Sequence, residues 1–190
     1  DRIKSIGKTQ QITKAMNMVA TVKFKKAFSS LLASRHYADG LRELMMNAMG
    51  SLGDEKPELT VERPGKKALL IIVAADKGLC GSFNTSLISY AVDYIKNRAE
   101  KEFELIIAGK KGADFFGRRK YAIKNTYCHV IEKLPFETAV KISIEAMAWF
   151  KAGEYSEAIL LYNEFKNVVQ SRVILRRILP VALPSVAIAP

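Results

Sequence analysis

One segment of the sequence has the residue types and the position to bind a phosphate group. Residues 76–84 (DKGLCGSFN) follow an apolar run and precede an amphipathic stretch. A loop between a strand and a helix can bind an anion, because the N–H groups of the helix N-terminus point toward it. Its glycines are spaced GxxG without a following lysine, whereas a P-loop needs GxxxxGK[ST] and a dinucleotide site needs GxGxxG. We therefore predict a tight turn with Ser82 or Asn84 as helix N-cap, and keep nucleotide binding as an alternative.

The remaining polar residues do not suggest a second reactive site. His36 and His129 have no Cys, Asp or Glu at metal-ligand spacing, and no Ser/His/Asp or Cys/His arrangement is evident. Cys80 and Cys128 form no CxxC motif, so we expect two reduced thiols, at least one of them buried. The basic run 117–120 (GRRK) could touch phosphate but is more typical of a solvated helix end. We predict no catalytic site, no metal and no cofactor.

The charge of the chain is positive and unevenly distributed. The sequence has 30 Lys and Arg against 19 Asp and Glu, a net charge of +11, and residues 1–38 contain eight basic residues and one acid. Such a segment favours an acidic partner, which could be a nucleic acid, an anionic lipid or a protein surface. No apolar run approaches the ~18 residues of a membrane span, and the N-terminus lacks the apolar stretch of a secretion signal. We therefore expect a soluble or peripheral protein.

The first fifty residues predict an unusually long helix. Gly7 and Gly40 enclose 32 residues without Gly or Pro. They would span about 48 Å as a helix, and about 75 Å with the stretch to Gly50. Apolar residues recur at spacings of three, four and seven, which places them on one face. The members of this stripe are Ile12, Met16, Val19, Ala20, Ala27, Leu31, Ala38, Leu41 and Met45. Such a helix must lie against another long helix or project.

From residue 68 onward, the apolar period changes to that of an α/β domain. We predict strands at 68–75, 103–108, 122–130, 158–165 and 169–179, with helices at 85–101, 110–118 and 136–152. This alternation predicts a Rossmann-like α/β fold with a mainly parallel sheet and helices on both faces; the last two strands form an antiparallel edge hairpin. The predicted divisions are a helix at 1–55, a linker at 56–67, the α/β domain at 68–180 and an extended tail at 181–190.

Four segments, in order along the chain, resemble the gamma subunit of F-type ATP synthases. They are IKSIGKTQQITKAMNMVATVKFKKA from residue 3, ADKGLCGSFN from residue 75, GKKGADFFGRR from residue 109, and the stretch 161–180 that ends in VILRRILP. The runs TQQITKAMNMVA and KGLCGSFN are together highly specific. The resemblance covers nearly the whole sequence. Family members continue beyond the length of this chain into a second long helix, so we expect the sequence to be a piece of a longer protein.

The resemblance implies a rotor function. The N-terminal helix would pair with a C-terminal helix as a coiled-coil shaft inside the alpha/beta hexamer of F1, and the α/β domain would meet the epsilon subunit and the membrane c-ring. Proton flow through the c-ring would turn the shaft and drive ATP synthesis on the beta subunits, so this subunit itself would be non-catalytic. The implied location is the cytoplasmic face of a bacterial inner membrane, with the mitochondrial matrix side as the alternative. The implied partner contacts are Ile12, Lys14, Met16, Val19, Lys23, Lys77 and Cys80.

A different class remains open from the residues alone, namely a basic nucleic-acid-binding or other interaction protein. The high isoelectric point and the basic N-terminal helix would suit nucleic acid. Against it, Lys14, Lys23, Lys25 and Lys26 alternate with apolar residues, so the basic side chains form no continuous face. We therefore expect no nucleic-acid partner.

Overall fold

The structure is a computed structural model that describes residues 2–50, 56–129, 136–168 and 170–182. The chain divides into a helical unit and an α/β unit, and each is described here by itself. The end of the predicted strand at 122–130 and most of the predicted tail at 181–190 lie outside the described residues.

The helical unit is one uninterrupted helix, α1 (Arg2–Gly50), of 49 residues. At 1.5 Å per residue it is about 73 Å long. It passes through Gly7 and Gly40, because an isolated glycine in a helix costs only about 1 kcal/mol. Contacts along the helix include the stacked rings of Phe24 and Phe28, whose centroids are 5.8 Å apart. The long helix predicted from the sequence is thus confirmed. None of its described side chains is buried.

The α/β unit is built on a five-stranded sheet with the order β3-β2-β1-β4-β5. Neighbouring strands are parallel except for β5, which runs antiparallel to β4 at the edge of the sheet. This confirms the mainly parallel sheet and the terminal hairpin. The strands are β1 (Lys67–Val73), β2 (Glu102–Ala108), β3 (Ile123–Tyr127), β4 (Glu157–Phe165) and β5 (Ser171–Leu179).

Helices cover both faces of this sheet, as predicted. They are α2 (Phe83–Asn97), α3 (Lys110–Arg118) and α4 (Phe136–Lys151). Strand β1 is buried on both sides, which explains its continuous apolar sequence. Its Leu70 packs in one cluster with Leu87 of α2 and Phe116 of α3. Its Leu69 packs on the other side with Phe150 of α4.

Helix α2 begins and ends earlier than the predicted range 85–101. It ends at Asn97 because the following residues turn back to hold a carboxylate at the start of β4. Glu157 lies within 3.0 Å of an Arg98 nitrogen and 3.6 Å of Lys101 Nζ, and its side chain is largely buried. A buried carboxylate requires cationic partners, so Arg98 and Lys101 bind Glu157 and do not continue the helix. The sequence pattern carried no signal for this long-range contact.

Strand β3 ends at Tyr127, earlier than predicted, and is joined to α4 by side chains. The Tyr127 hydroxyl and the Asn125 amide both donate hydrogen bonds to Glu145, at 2.8 and 3.0 Å. Burial, together with the hydrogen bond and charge of Glu145, raises the pKa of Tyr127 to about 12. Two residues beyond the strand, His129 has a φ of 61°, which is incompatible with extended backbone.

Residues 56–67, for which the sequence predicts a linker, make contacts with the α/β core. They include a 3-10 turn at Glu58–Thr60, whose Leu59 packs against the cluster around Phe150. The Leu59 carbonyl accepts a hydrogen bond from the Val181 N–H at 2.8 Å. Arg63 lies over the Phe150 ring at 5.0 Å. The Pro and Gly residues that suggested a linker thus shape a stretch that lies on the domain.

Among the described glycines, Gly109, between β2 and α3, leaves the least room for a β-carbon. Gly109 has a φ of 105°, and a β-carbon there would lie 2.2 Å from the Ala74 oxygen.

We expect Gly109→Ala to lower the free energy of unfolding by about 3 kcal/mol, from backbone strain and steric overlap. Gly117→Ala, inside α3, is the matched control, because a β-carbon there meets nothing within 4 Å. Urea unfolding should show the control unchanged or stabilised by up to about 1 kcal/mol; equal stability of the two variants would contradict this packing.

Candidate functional site

The sheet topology places a potential ligand crevice beside β1. The chain connects β1, β2 and β3 outward on one side, then returns to place β4 against the other side of β1. In open α/β sheets, ligands bind at the carboxyl ends of the strands where the direction of winding changes. The loop 74–82 leaves the carboxyl end of β1 at this point. This loop contains most of residues 76–84, for which nucleotide binding is the alternative interpretation.

The anion position at the start of α3 is occupied by a carboxylate of the protein itself. Oδ1 of Asp76 accepts the N–H of Lys110, the first residue of α3, at 2.9 Å. The same oxygen accepts the N–H of His129, after β3, at 2.9 Å. A carboxylate at a helix N-terminus is stabilised by the free N–H groups there, as a phosphate would be. Asp76 therefore ties three segments together where a ligand phosphate would compete for the same donor.

A second polar side chain, Asn84, holds the loop from inside. Its Oδ1 accepts the N–H of Ala75 at 3.0 Å, and its Nδ2 donates to the Lys77 carbonyl at 3.2 Å. Nδ2 also lies 3.2 Å from the Cys80 Sγ. Asn84 is thus inside the first turn of α2, and the expectation that it could be the N-cap was wrong. Ser82 is the N-cap residue, although its side chain makes no capping hydrogen bond.

The predicted partner-contact residues occupy two places. Five lie on α1 and are exposed, with 61% of Ile12, 67% of Met16 and 57% of Val19 accessible. Lys14 and Lys23 are exposed on the same helix. The other two, Lys77 and Cys80, are exposed in the loop after β1. Nothing in the chain itself tests their contacts, so their roles remain predictions.

The same loop contains a residue that sequence reasoning missed. Leu79 is fully exposed and has a φ of 58°, a left-handed conformation that is rare for leucine. Neither property has a signal in the local pattern, since a leucine between glycines is equally compatible with burial. The two thiols also differ from expectation: Cys80 is exposed and Cys128 is only partly covered. The prediction that at least one is buried was wrong, because both lie at the open end of the sheet and not within its core.

Other chemical features of the described residues are few. Within residues 2–50, 56–129, 136–168 and 170–182, no group of three or more His, Cys, Asp or Glu side chains could hold a metal ion. None of the helices in that part of the chain is long and apolar enough to cross a membrane. Surface depressions lie along α1, around residues 5–17, and along α4, around residues 136–145.

The geometry of this region indicates the class of protein to which the chain belongs. Where an α/β enzyme would offer backbone N–H groups to a nucleotide, Asp76 and Asn84 accept such groups, and many of the exposed large apolar side chains of the described residues lie on α1. These are the features of a protein that acts through contacts with other macromolecules.

Comparison with known proteins identifies the family. A protein-family model described as ATP synthase matches residues 1–188. The ATP synthase gamma chain of Chloroherpeton thalassium is 38% identical over 187 residues, which cover 95% of this chain and 62% of that protein. The gamma chain of Geotalea uraniireducens is 38% identical over 188 residues, which cover 98% of this chain and 65% of that one. The chain thus spans a little under two thirds of the length of these relatives.

A solved structure agrees with the sequence relatives. A chain from the cryo-EM structure of the central stalk and c-ring of Tetrahymena thermophila mitochondrial ATP synthase superposes with a TM-score of 0.69 and 32% identity. The match covers 89% of this chain and 72% of that one. The chain belongs to the ATP synthase gamma chain family.

The polar contacts at the carboxyl end of β1 predict that the chain binds no nucleotide. Asp76 accepts the first N–H of α3, and no lysine follows the second glycine of the loop before α2 to bind a phosphate. Calorimetric titration with ATP, ADP and NAD should show no saturable site with a Kd below about 1 mM. A site of about micromolar affinity that Gly78→Val abolishes would contradict both this prediction and the assignment of the loop.

Proposed function

We propose that this chain is the central-stalk rotor subunit of the F1 part of a proton-translocating F-type ATP synthase. In this role, it couples proton flow through the membrane c-ring to conformational change at catalytic sites on the beta subunits, so driving ATP synthesis there. The observation that carries the proposal is α1, a 49-residue helix in which no side chain is buried. Family membership supports it, since the Tetrahymena structure that the chain resembles is described as a central stalk with its c-ring.

The shaft proposal follows from what an exposed helix of this length needs. Helices in water draw most of their stability from packing an apolar face, not from propensity. Full burial of side chains such as Ile12, Met16 and Val19 would contribute about 1.5–3 kcal/mol each. Their spacing puts them on one side of α1, where a second long helix could cover them as a coiled coil. We infer that the part of the relatives outside this match supplies that helix.

The charge of the chain supports the proposed partners. The excess of basic residues on α1 suits an acidic surface on the catalytic subunits that surround the shaft. Ile12, Lys14, Met16, Val19 and Lys23 are the proposed contacts there. The α/β unit is the proposed contact for the epsilon subunit and the c-ring. The chain would then be peripheral, held through the complex at the cytoplasmic face of a bacterial inner membrane.

The placement of Met16 against an acidic surface can be tested by adding a charge. Met16→Lys should create an ion pair that holds one rotor angle by ~1–3 kcal/mol when partly desolvated. We expect fewer protons pumped per ATP hydrolysed in the complete complex reassembled in a membrane. ATP hydrolysis and acidification of vesicles, measured on the same preparation, give this ratio.

The control for that experiment adds the same charge one position along the helix. Asn17→Lys turns the new ammonium by about 100° around α1, away from the Met16 side. This variant should pump as the unmodified chain does. An unchanged ratio for Met16→Lys, or an equal loss in both variants, would count against the proposed placement.

The shaft proposal also predicts where the chain is protected from solvent. In the 190-residue chain alone, amides at residues 12–31 should exchange quickly or be protected only through self-association, because none of the described side chains of α1 is buried. Adding the second shaft helix, fused or as a peptide, should slow exchange there by about tenfold or more. The buried strand β1 is the internal control and should exchange slowly in both samples.

Two results would contradict this prediction. Slow exchange at residues 12–31 in a monomeric chain without the second helix would show that the stripe is buried within the chain itself. Fast exchange after the second helix is added would show that this helix does not cover the stripe. Sedimentation velocity on each sample separates the monomer from a self-associated state.

A further inference from the structure

The two ends of the α/β unit are tied to each other. The leading segment, residues 57–63, precedes β1, and the trailing segment, residues 177–181, completes β5 and follows it. The Val181 N–H donates a hydrogen bond to the Leu59 carbonyl at 2.8 Å. The side chains of both residues pack against the apolar cluster around Phe150. The chain therefore enters and leaves this unit at neighbouring points that are joined through backbone and apolar contacts.

Ion pairs add to this connection, and all of them involve the leading segment. Glu62 Oε1 lies 3.0 Å from Arg177 Nη1, which joins the leading segment to β5. Glu58 lies 3.1 Å from Arg63 within the segment and 3.5 Å from Lys151, the last residue of α4. A single exposed ion pair contributes little, but several contacts that close together hold a segment more firmly than one does. The leading segment is thus attached to both β5 and α4.

The trailing end is the point at which the sheet is easiest to open. Strand β5 is at the edge of the sheet and pairs only with β4, whereas β1, which the leading segment precedes, is the central strand. Leu79 is not involved; the last pair of the β4–β5 ladder is Ala158 with Leu179. A pull on the chain beyond Val181 would act first on this pair and could separate β5 from β4 one pair at a time. The hydrogen bond of Val181 lies just outside this vulnerable end.

We propose that the leading and trailing segments form an end clamp, which keeps β5 on the sheet when the two ends of the α/β unit are pulled apart. The hydrogen bond to Leu59 and the ion pair of Glu62 hold the clamp closed, and the contact of Glu58 with α4 anchors its leading side. The inference rests on the proposed function, because a rotor subunit whose α/β unit lies in sequence between two long helices is loaded through both ends of that unit.

The clamp is tested by pulling the full chain in an optical trap from both ends of the α/β unit. Cysteines that replace Lys56 and Ala182, which are both exposed, hold the handles, and Cys80 and Cys128 are replaced by serine. Opening of the clamp frees about twelve residues, which at about 3.3–3.6 Å each give a first extension of up to about 40 Å. Unfolding of the sheet should follow as a separate and larger extension. A single extension, in which the ends and the sheet open together, would contradict the clamp.

The ion pair of the clamp is tested by reversing its charges. Glu62→Arg places two guanidinium groups together, so at a given force the first extension should occur about threefold faster or more, while the second keeps its rate. Arg177→Glu, added to this variant, pairs opposite charges again and should restore the original rate. Asp93→Arg, at an exposed position of α2, is the matched control and should change neither rate. An equal effect of the control, or no restoration by the second change, would contradict a role of this pair in the clamp.

A measurement in the complete complex in a membrane distinguishes the inference from the function on which it rests. With Glu62→Arg, ATP hydrolysis in the absence of a gradient should be unchanged, whereas the largest proton gradient that the complex builds should fall, and Arg177→Glu should restore it. If the unmodified chain pumps and Glu62→Arg builds the same gradient, the clamp bears no load and the inference is wrong, while the rotor function stands. If the unmodified chain does not assemble with ATP synthase subunits, the proposed function is wrong, and the loading of the clamp with it.

Discussion

At the carboxyl end of a parallel sheet, backbone N–H groups need acceptors where loops and helix N-termini converge, and in this chain the protein supplies them itself. Asp76 accepts N–H groups from α3 and from the segment after β3, and Asn84 accepts one from the end of β1. Gly109 lets α3 begin in direct contact with β1, since no β-carbon would fit there. Together these contacts fix the ends of three neighbouring strands and fill the place where related architectures bind a ligand.

Because the protein supplies its own hydrogen-bond acceptors at this edge of the sheet, the edge has fewer free N–H groups to bind a ligand. An α/β sheet with an open crevice binds small molecules at this edge, whereas here side chains of the protein accept the backbone N–H groups. The loop that these contacts involve exposes Leu79 at its tip. Both features suit a subunit that acts by contact.

The helical unit follows a complementary constraint. Helix α1 satisfies its backbone hydrogen bonds internally, so it can extend about 73 Å although none of its described side chains is buried. The apolar stripe is exposed among the described residues, which is why the proposed function requires a second long helix. Length without glycine or proline between Gly7 and Gly40 suits a stiff element, and its basic side chains suit an acidic surrounding surface.

The sequence by itself determined the elements whose signals are local. The uninterrupted helix, the buried strand β1, the range of α3 and the order of strands and helices could be read from apolar spacing and from the positions of Gly and Pro. Two motifs were specific enough to indicate the family. Tertiary structure alone decided where α2 ends, because Glu157 binds Arg98 and Lys101, which are distant in sequence, and β3 ends before the left-handed residue His129. It also decided that Asn84 holds the loop instead of capping α2, and that Leu79 is exposed. Such outcomes depend on which donors and acceptors meet after folding, and periodicity along the chain does not contain that information.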